Sequence, residues 1–495
     1  MAFVNAWDPN PDLEAATTLG NALRAVGYTT EAIEELLGEE GPSADLADSV
    51  VLERRLPRSA IATTIRLLLL QRPVTATDAT AALGRDAVEA LLGIGLVTTE
   101  GERLLPRARV VPAESIYLAF DGFSRGQDDP PGWVSSFTPT AYWLASLTPR
   151  RRVGRALDIG TGNGAHALLA AAHADHVIAT DVNSRALAFT QISAALNGID
   201  NVETRLGSLF EPVAGETFDL ITCNAPYVIS PERRWQYRDG GLPGDQLSER
   251  VVREAAPHLA DGGHASVLVS WLAESEDEPD ERVHEWLEGN GCDAWVLGLS
   301  GADPLDHAAG WNDHFTSDPD TMGAALDEWT QYFDALDAGW ITEGAVLMRK
   351  RDGEHHVVRA DPVDEDELEF ASDQIERVFA ALALIGEEGA SAILEARLTL
   401  AEEVRFDQEL DRRGDVQEIR IMLDEGTCPE VELELKTAEL LTMLDGHKTL
   451  DQAIERTVRR HELGKREATE LRHDALHVVR ELFEQGFFEL VRVHA

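Results

Sequence analysis

The sequence predicts an α/β protein built around a doubly wound, mostly parallel sheet, with smaller helical modules on either side. Two observations carry this. Between about 136 and 350 short apolar runs alternate with helical patterns: "RALDI", "HVIATD", "NVETRLG", "FDLITCN", "HASVLVSW", "DAWVLGLS" and "GAVLMRK". Such alternation suits strands covered on both faces by crossover helices. Outside that block, acids recur with Leu, Ile and Ala at spacings of three and four, the period of an amphipathic helix. A 495-residue chain that is 44% hydrophobic can fill roughly two to four such cores.

In chain order, the sequence divides at about 1–115, 116–352 and 353–495. Residues 12–40 are amphipathic helix. "AIATTIRLLLLQRP" reads as a helix ended by Pro73, and "TATDATAALG" and "RDAVEALLGIG" as two short helices before a strand pair. Three helices and a hairpin make a winged-helix-like layout, although the third helix carries one Arg against two acids, poor equipment for entering a nucleic-acid groove. The middle block holds the sheet, with residues 301–343, rich in Asp and Trp, inserted between its last two strands. The last block reads as acidic and mostly helical, closing on a winged-helix-like unit.

Composition excludes some classes. No basic and apolar leader opens the chain, and the densest apolar run, "IRLLLLQ", is too short to span a bilayer. Three scattered cysteines, Cys223, Cys292 and Cys428, argue for a reducing, cytoplasmic setting and against a disulfide or zinc framework. A formal net charge of −46, with arginine supplying almost every cation, suits solubility or a salt-tolerant host, and obliges any nucleic-acid partner to use a local basic patch. "PERRWQYRDGG" is the one basic–aromatic cluster. Its Arg233, Arg234, Trp235, Tyr237 and Arg238 suit a phosphate backbone or a stacked base, and equally suit pairing with surface acids.

The chemistry concentrates in three stretches. "ALDIGTGNGAHALLAAA" is a strand, a glycine turn and a helix, in which Gly160, Gly162 and Gly164 let the backbone approach a ligand. "HVIATD" ends the next strand on Asp181, where a carboxylate can accept from both hydroxyls of a ribose. Asp158, just before the glycines, would repel a pyrophosphate and attract an ammonium group. "ITCNAPYVIS" ends a buried strand on Asn224, Ala225, Pro226 and Tyr227, an order that a plain loop has no need of. His166, His173 and His176 flank the glycine helix. They read as polar surface, and no metal site is expected.

Together "LDIGTGNG", "ATDVN" and "NAPYVISP" resemble a class I S-adenosylmethionine-dependent methyltransferase, closest in pattern to the amino-methyltransferases with an Asn-Pro-Pro-Tyr signature. Those include release-factor glutamine, ribosomal guanine and adenine DNA enzymes. The resemblance covers roughly 136–350 and implies a seven-stranded Rossmann-like sheet. It implies that S-adenosylmethionine is held by Asp158, Gly160, Thr161, Gly162, Gly164, Asp181, Ser208, Leu209 and Asn224, with Thr138 and Pro139 near the lid. It implies too that Asn224, Pro226 and Tyr227 clamp a planar nitrogen, either a protein glutamine amide or the exocyclic amine of a base, RNA before DNA. Ala225 departs from the signature, standing where its first proline is usual. The alternative is a weakly active or non-catalytic module that senses the cofactor. The oligomeric state is not legible.

Overall fold

The computed structural model describes residues 7–38, 46–124, 129–130, 132–232, 241–353, 355–413 and 416–491. The central sheet contains β1 (Val153–Ile159), β2 (Ala174–Asp181), β3 (Val202–Leu206), β4 (Phe218–Cys223), β5 (Leu259–Ala273), β6 (Cys292–Ala302), β7 (Trp340–Lys350) and β8 (Val358–Pro362). Their order across the sheet is β8-β6-β7-β5-β4-β1-β2-β3. Every pairing is parallel except those of β7, which runs antiparallel to β5 and to β6. The sheet therefore has eight strands where seven were expected. The added one, β8, was missed because it is short, half-exposed and ends on a proline, which suits an edge.

Eight helices matter for the site and its surroundings: α1 (Pro139–Ser146), α2 (Ala165–Ala171), α3 (Ser184–Asn197), α4 (Gln246–Ala255), α5 (Glu281–Leu287), α6 (Pro304–Trp311), α7 (Pro319–Asp334) and α8 (Ser372–Glu388). The strand order reverses between β1 and β4, since β1 continues to β2 on one side while β4 lies on the other. A crevice opens at such a reversal, outside the carboxyl ends of the strands. The inserted segment of residues 301–343 folds as α6 and α7, whose Ala308, Trp329 and Phe333 share a small core with Val228, Ile229, Leu272 and Ile341.

The N-terminal block has its expected helices. Gly27, in the left-handed region at φ +73°, splits the first stretch into Leu13–Val26 and Thr30–Leu37. Further on, strands Val74–Thr75, Val97–Glu100 and Arg103–Pro106 form a three-stranded sheet beside helices Ala76–Leu83 and Arg85–Ile94. The division at 115/116 falls in the turn of a hairpin, Ala108–Ala113 with Ile116–Asp121. That hairpin leans on α3: Tyr117 N donates to Asn197 Oδ1 at 2.9 Å and Ala119 N to Ser193 Oγ at 3.0 Å. The division at 352/353 likewise precedes β8, which belongs to the central sheet.

The C-terminal block is less helical than expected. Residues 397–432 supply all three strands of one sheet, Val404–Leu410, Val416–Leu423 and Glu430–Glu432, and one strand of another, formed by Asp445–Thr449, Arg397–Leu400 and Phe488–Leu490. Acidic composition suggested helix, but "VQEIRIML" alternates, burying Ile419, Ile421 and Leu423 on one face. Arg420 on the other face pairs with Asp407 and Glu430 of the flanking strands, offsetting their charge. Among the described residues no helix is long and apolar enough to cross a membrane.

The N-terminal helix Leu13–Val26 packs on α3 with almost no space between backbones. A Cβ placed on Gly20 would lie 2.0 Å from the Leu196 carbonyl oxygen. Gly20→Val should therefore cost about 1–3 kcal/mol in urea unfolding. Gly93→Ala, on a helix position with open space around it, should be neutral or gain up to about 1 kcal/mol.

Candidate active site

The crevice at the strand-order reversal is a cavity of about 660 Å³, within the ~300–1,000 Å³ range of small-molecule sites. Its floor is the turn from β1 to α2. Gly160 and Gly164 have φ of +67° and +90°. A side chain on Gly164 would press on Leu168 and Thr190 at 3.0 Å, and one on Gly160 would meet the Cα of Ala225 at 3.4 Å. Glycine is thus required at both positions for conformation, and at Gly164 for closeness too. The register Ile159↔Cys223 sets the end of β1 beside the end of β4, so the glycine turn and Asn224 share one wall.

Asp181 stands at the end of β2 and lines the cavity. Its Oδ2 accepts from Gly162 N at 3.0 Å and its Oδ1 from Asn183 N at 2.8 Å. Each oxygen retains a lone pair, enough for two more donors. Burial pushes its carboxyl above the usual range. Thr161, Gly162, Ser208, Leu209, Asn224, Pro226 and Tyr227 all line the same cavity. Leu209 takes the unusual φ of +47°. Thr138 lines the cavity and also caps α1, accepting from Ala141 N at 3.3 Å, while Pro139 begins that helix.

Asp158 is not brought to the cavity wall. It lies 1% exposed beneath the glycine turn, where Oδ1 accepts from Thr222 Oγ1 at 2.8 Å. Burial pushes this carboxyl up to about 6. The histidine expectation also needs correction. His166 is only 7% exposed and lines the cavity, whereas His173 and His176 are partly exposed. The helix "AHALLAA" is apolar on every face, so it is buried all round and carries its histidine with it. Among the described residues no group of three His, Cys, Asp or Glu could hold a metal ion.

Several lining residues were not foreseen. Val182 follows Asp181 and leaves an apolar side chain 54% exposed at the cavity, and Trp311, at the end of α6, reaches it from the insertion. The Trp311 indole donates to Glu343 Oε1 of β7 at 3.1 Å, which fixes the ring. Two asparagines tie the covering segment down. Asn163 Nδ2 donates to the Ser135 carbonyl and Asn183 Nδ2 to the Gly132 carbonyl, both at 3.0 Å. Val134 N donates to Asp121 Oδ2, and Asp121 pairs with Arg185, whose guanidinium lies 4.6 Å from the Trp7 ring. The arginine cluster at 233–238 lies outside the described residues.

Residues 138–276 match the Methyltransferase small domain family. The chain carries a class I S-adenosylmethionine-dependent methyltransferase domain. Residues 25–109 match a second family, a domain of unknown function (DUF7059). Over 169 residues the chain is 32% identical to the ribosomal protein uL3 glutamine methyltransferase of Bradyrhizobium diazoefficiens, covering 30% of this chain and 52% of that one. Over 113 residues it is 41% identical to the release factor glutamine methyltransferase of Aliivibrio fischeri, covering 22% and 35%. The chain spans about half the length of the curated relatives it matches. Among solved structures, Trm5b from Pyrococcus abyssi aligns at 17% identity and a TM-score of 0.31, over 52% of this chain and 62% of that one. A likeness so slight adds nothing to the argument.

The residues present suit the cofactor of such a domain. A carboxylate with lone pairs to spare and a glycine floor face one cavity of adequate size.

Two expectations follow. Asp181→Ala should weaken binding of S-adenosylhomocysteine by about 1–3 kcal/mol in calorimetry, the scale of charge-assisted hydrogen bonds. Asp158 concerns stability. Its folded pKa, about 6, lies above the ordinary 3.8, so the folded state holds that proton more tightly. Stability from this group is present below about pH 4 and is lost as pH rises to about 6. Asp158→Asn should therefore gain on wild type across that window, by on the order of 2 kcal/mol at pH 7, read from urea midpoints.

Proposed function

We propose that the protein transfers a methyl group from S-adenosylmethionine to a planar nitrogen, with a protein glutamine amide as the preferred acceptor. One observation carries the reading: the Asn224–Tyr227 turn and the glycine turn end neighbouring strands and line one cavity. Bound there, S-adenosylmethionine supplies an electrophilic methyl on a sulfonium. The chain's own residues bind and aim. Asp181 accepts from the ribose hydroxyls, with Ser208 and Leu209 at the adenine. Asn224 and the Ala225 carbonyl accept hydrogen bonds from the acceptor NH₂, while Pro226 holds that carbonyl in place. The Tyr227 ring and Trp311 offer flat apolar surface to the amide. Positioning of this kind lowers a barrier without an acid or base at the reacting atom.

The preference for protein over nucleic acid rests on charge. Between Asp303 and Asp337, the insertion whose Trp311 borders the cavity has nine acids and no lysine or arginine. Such a flank repels a phosphate backbone and attracts a basic polypeptide. The relatives whose printed names are uL3 and release factor glutamine methyltransferases point the same way. The N-terminal module, residues 60–106, we read as a winged helix used for protein contact, because its third helix, Arg85–Ile94, is not basic.

Asn224→Ala should leave cofactor affinity nearly intact and lower turnover by at least about 10²-fold, with Asn224→Asp keeping part of it. Radiolabelled transfer into separate ribosomal-protein, RNA and DNA fractions provides the assay, and label should enter the protein fraction. Wild-type turnover in Asn224→Ala would exclude the amine clamp, and label confined to nucleic acid would exclude the glutamine acceptor.

A further inference from the structure

The order of strands separates two sides of the cavity. Asp181 ends β2 and Ser208 follows β3, so the proposed ribose and adenine contacts lie on the β2–β3 side of the reversal. On the other side the sheet continues from β4 through β5 to β7. Tyr227, Val228 and Trp311 line the cavity from there. Tyr227 packs with Leu268 of β5 and Ala345 of β7, and Val228 with Leu272 and Ile341 of the same two strands. Trp311 is the insertion's contribution, at the end of α6.

This ring is held from behind. The indole nitrogen donates to Glu343 Oε1 at 3.1 Å, and the Glu343 side chain, on β7, is only 15% exposed. His307, one turn earlier on α6, adds a second tie. Its Nε2 lies 3.3 Å from the Ile229 carbonyl oxygen, which can only accept, so Nε2 carries the proton. Burial pushes this imidazole down to about 4, so at neutral pH its Nδ1 is bare and has no proton for Glu343 Oε1, 3.8 Å away. Among the described residues, the indole is therefore the hydrogen-bond donor to that oxygen. Ile229 lies two residues beyond Tyr227, so the same helix grips the turn that carries Asn224. An aromatic ring fixed before its partner arrives loses little freedom on binding, which favours affinity. The acid has a second effect: burial, and then the charges of Glu343 and Glu365, push the Tyr227 phenol up. A negative field at this wall suits an amide that donates from its NH₂ and opposes a phosphate.

Resting on the proposed methyl transfer, we infer that Glu343 is a positioning residue for acceptor binding, acting through the hydrogen bond that fixes the Trp311 ring at the cavity wall. Glu343 touches neither the cofactor nor the reacting nitrogen. Its loss frees the ring and weakens the hold on the acceptor, while the cofactor and the chemistry of transfer are left alone.

The test uses the full chain, saturating methyl-labelled S-adenosylmethionine and, as acceptor, whichever of the ribosomal-protein, RNA and DNA fractions the wild type labels. Glu343→Leu should raise the acceptor KM by about threefold or more, the scale of one hydrogen bond to a charged group. Its kcat and its affinity for S-adenosylhomocysteine in calorimetry should stay within about twofold of wild type. Glu343→Gln, whose amide oxygen still accepts from the indole, should bring KM back to within about twofold. Trp311→Phe, which keeps a ring but loses the N–H, should match Glu343→Leu, and the double variant should be no worse than either, since both remove one interaction. A fall in kcat at unchanged KM, a parallel loss of S-adenosylhomocysteine affinity, Gln as harmful as Leu, additive effects in the double variant, or wild-type behaviour throughout would each overturn the assignment. If Glu343→Leu does not fold, Trp311→Phe and Glu343→Gln decide, the assignment failing unless the first raises KM and the second does not. Label in a nucleic-acid fraction would overturn the glutamine reading, with the Glu343 comparison then made on that fraction. Wild-type protein that labels no fraction would overturn methyl transfer itself, and this inference with it.

Discussion

Everything at the site depends on one backbone turn, the left-handed turn at Gly160 that ends β1 beside the end of β4. Two parallel strands that neighbour each other at the reversal of strand order must both turn away at the same level. The first does so through Gly160, whose φ of +67° calls for glycine by conformation rather than by lack of space, since a side chain there would meet Ala225 only at ordinary contact distance. Ala225, the departure from the usual signature, is 7% exposed and packed against the floor.

The sheet was legible wherever local pattern and long-range order agree. Strands such as "RALDI" and "FDLITC" are apolar because helices cover both faces, and the glycines and Asp181 sit where the chain must turn. What escaped was decided by partners distant in sequence. β8 is a strand only because β6 offers an edge. "VQEIRIML" pairs with "VRFDQEL" across a turn, and its charges look helical until Arg420 is seen between two acidic strands. His166 was misread for a related reason: judged as a single histidine it suggests surface, but judged by its helix, apolar on every side, it must be buried. Asp158 shows the converse, a residue placed correctly before the glycines whose carboxylate points beneath the turn.

The parts of the chain outside the methyltransferase domain are not appendages to it. The C-terminal block supplies an eighth strand, and α8 lies under the sheet, where Ala371 N donates to the Ser146 carbonyl and Glu376 pairs with Arg151. The insertion contributes Trp311. The N-terminal module contributes most, since the hairpin that begins at Ala108 continues into the segment that covers the cavity, and Arg185 joins that segment to Trp7 through Asp121.

Helix α3 gives that arrangement a mechanical aspect. Its first turn is capped by Asn183, which holds the cover at Gly132, and its far end carries Leu196, pressed by Gly20. Fourteen residues of helix make a rod about 21 Å long. A tilt of about 3° imposed at one end moves the other by roughly 1 Å, comparable with the margin between a sound hydrogen bond and a broken one. The outer module and the mouth of the cavity are thus held by opposite ends of one rigid rod.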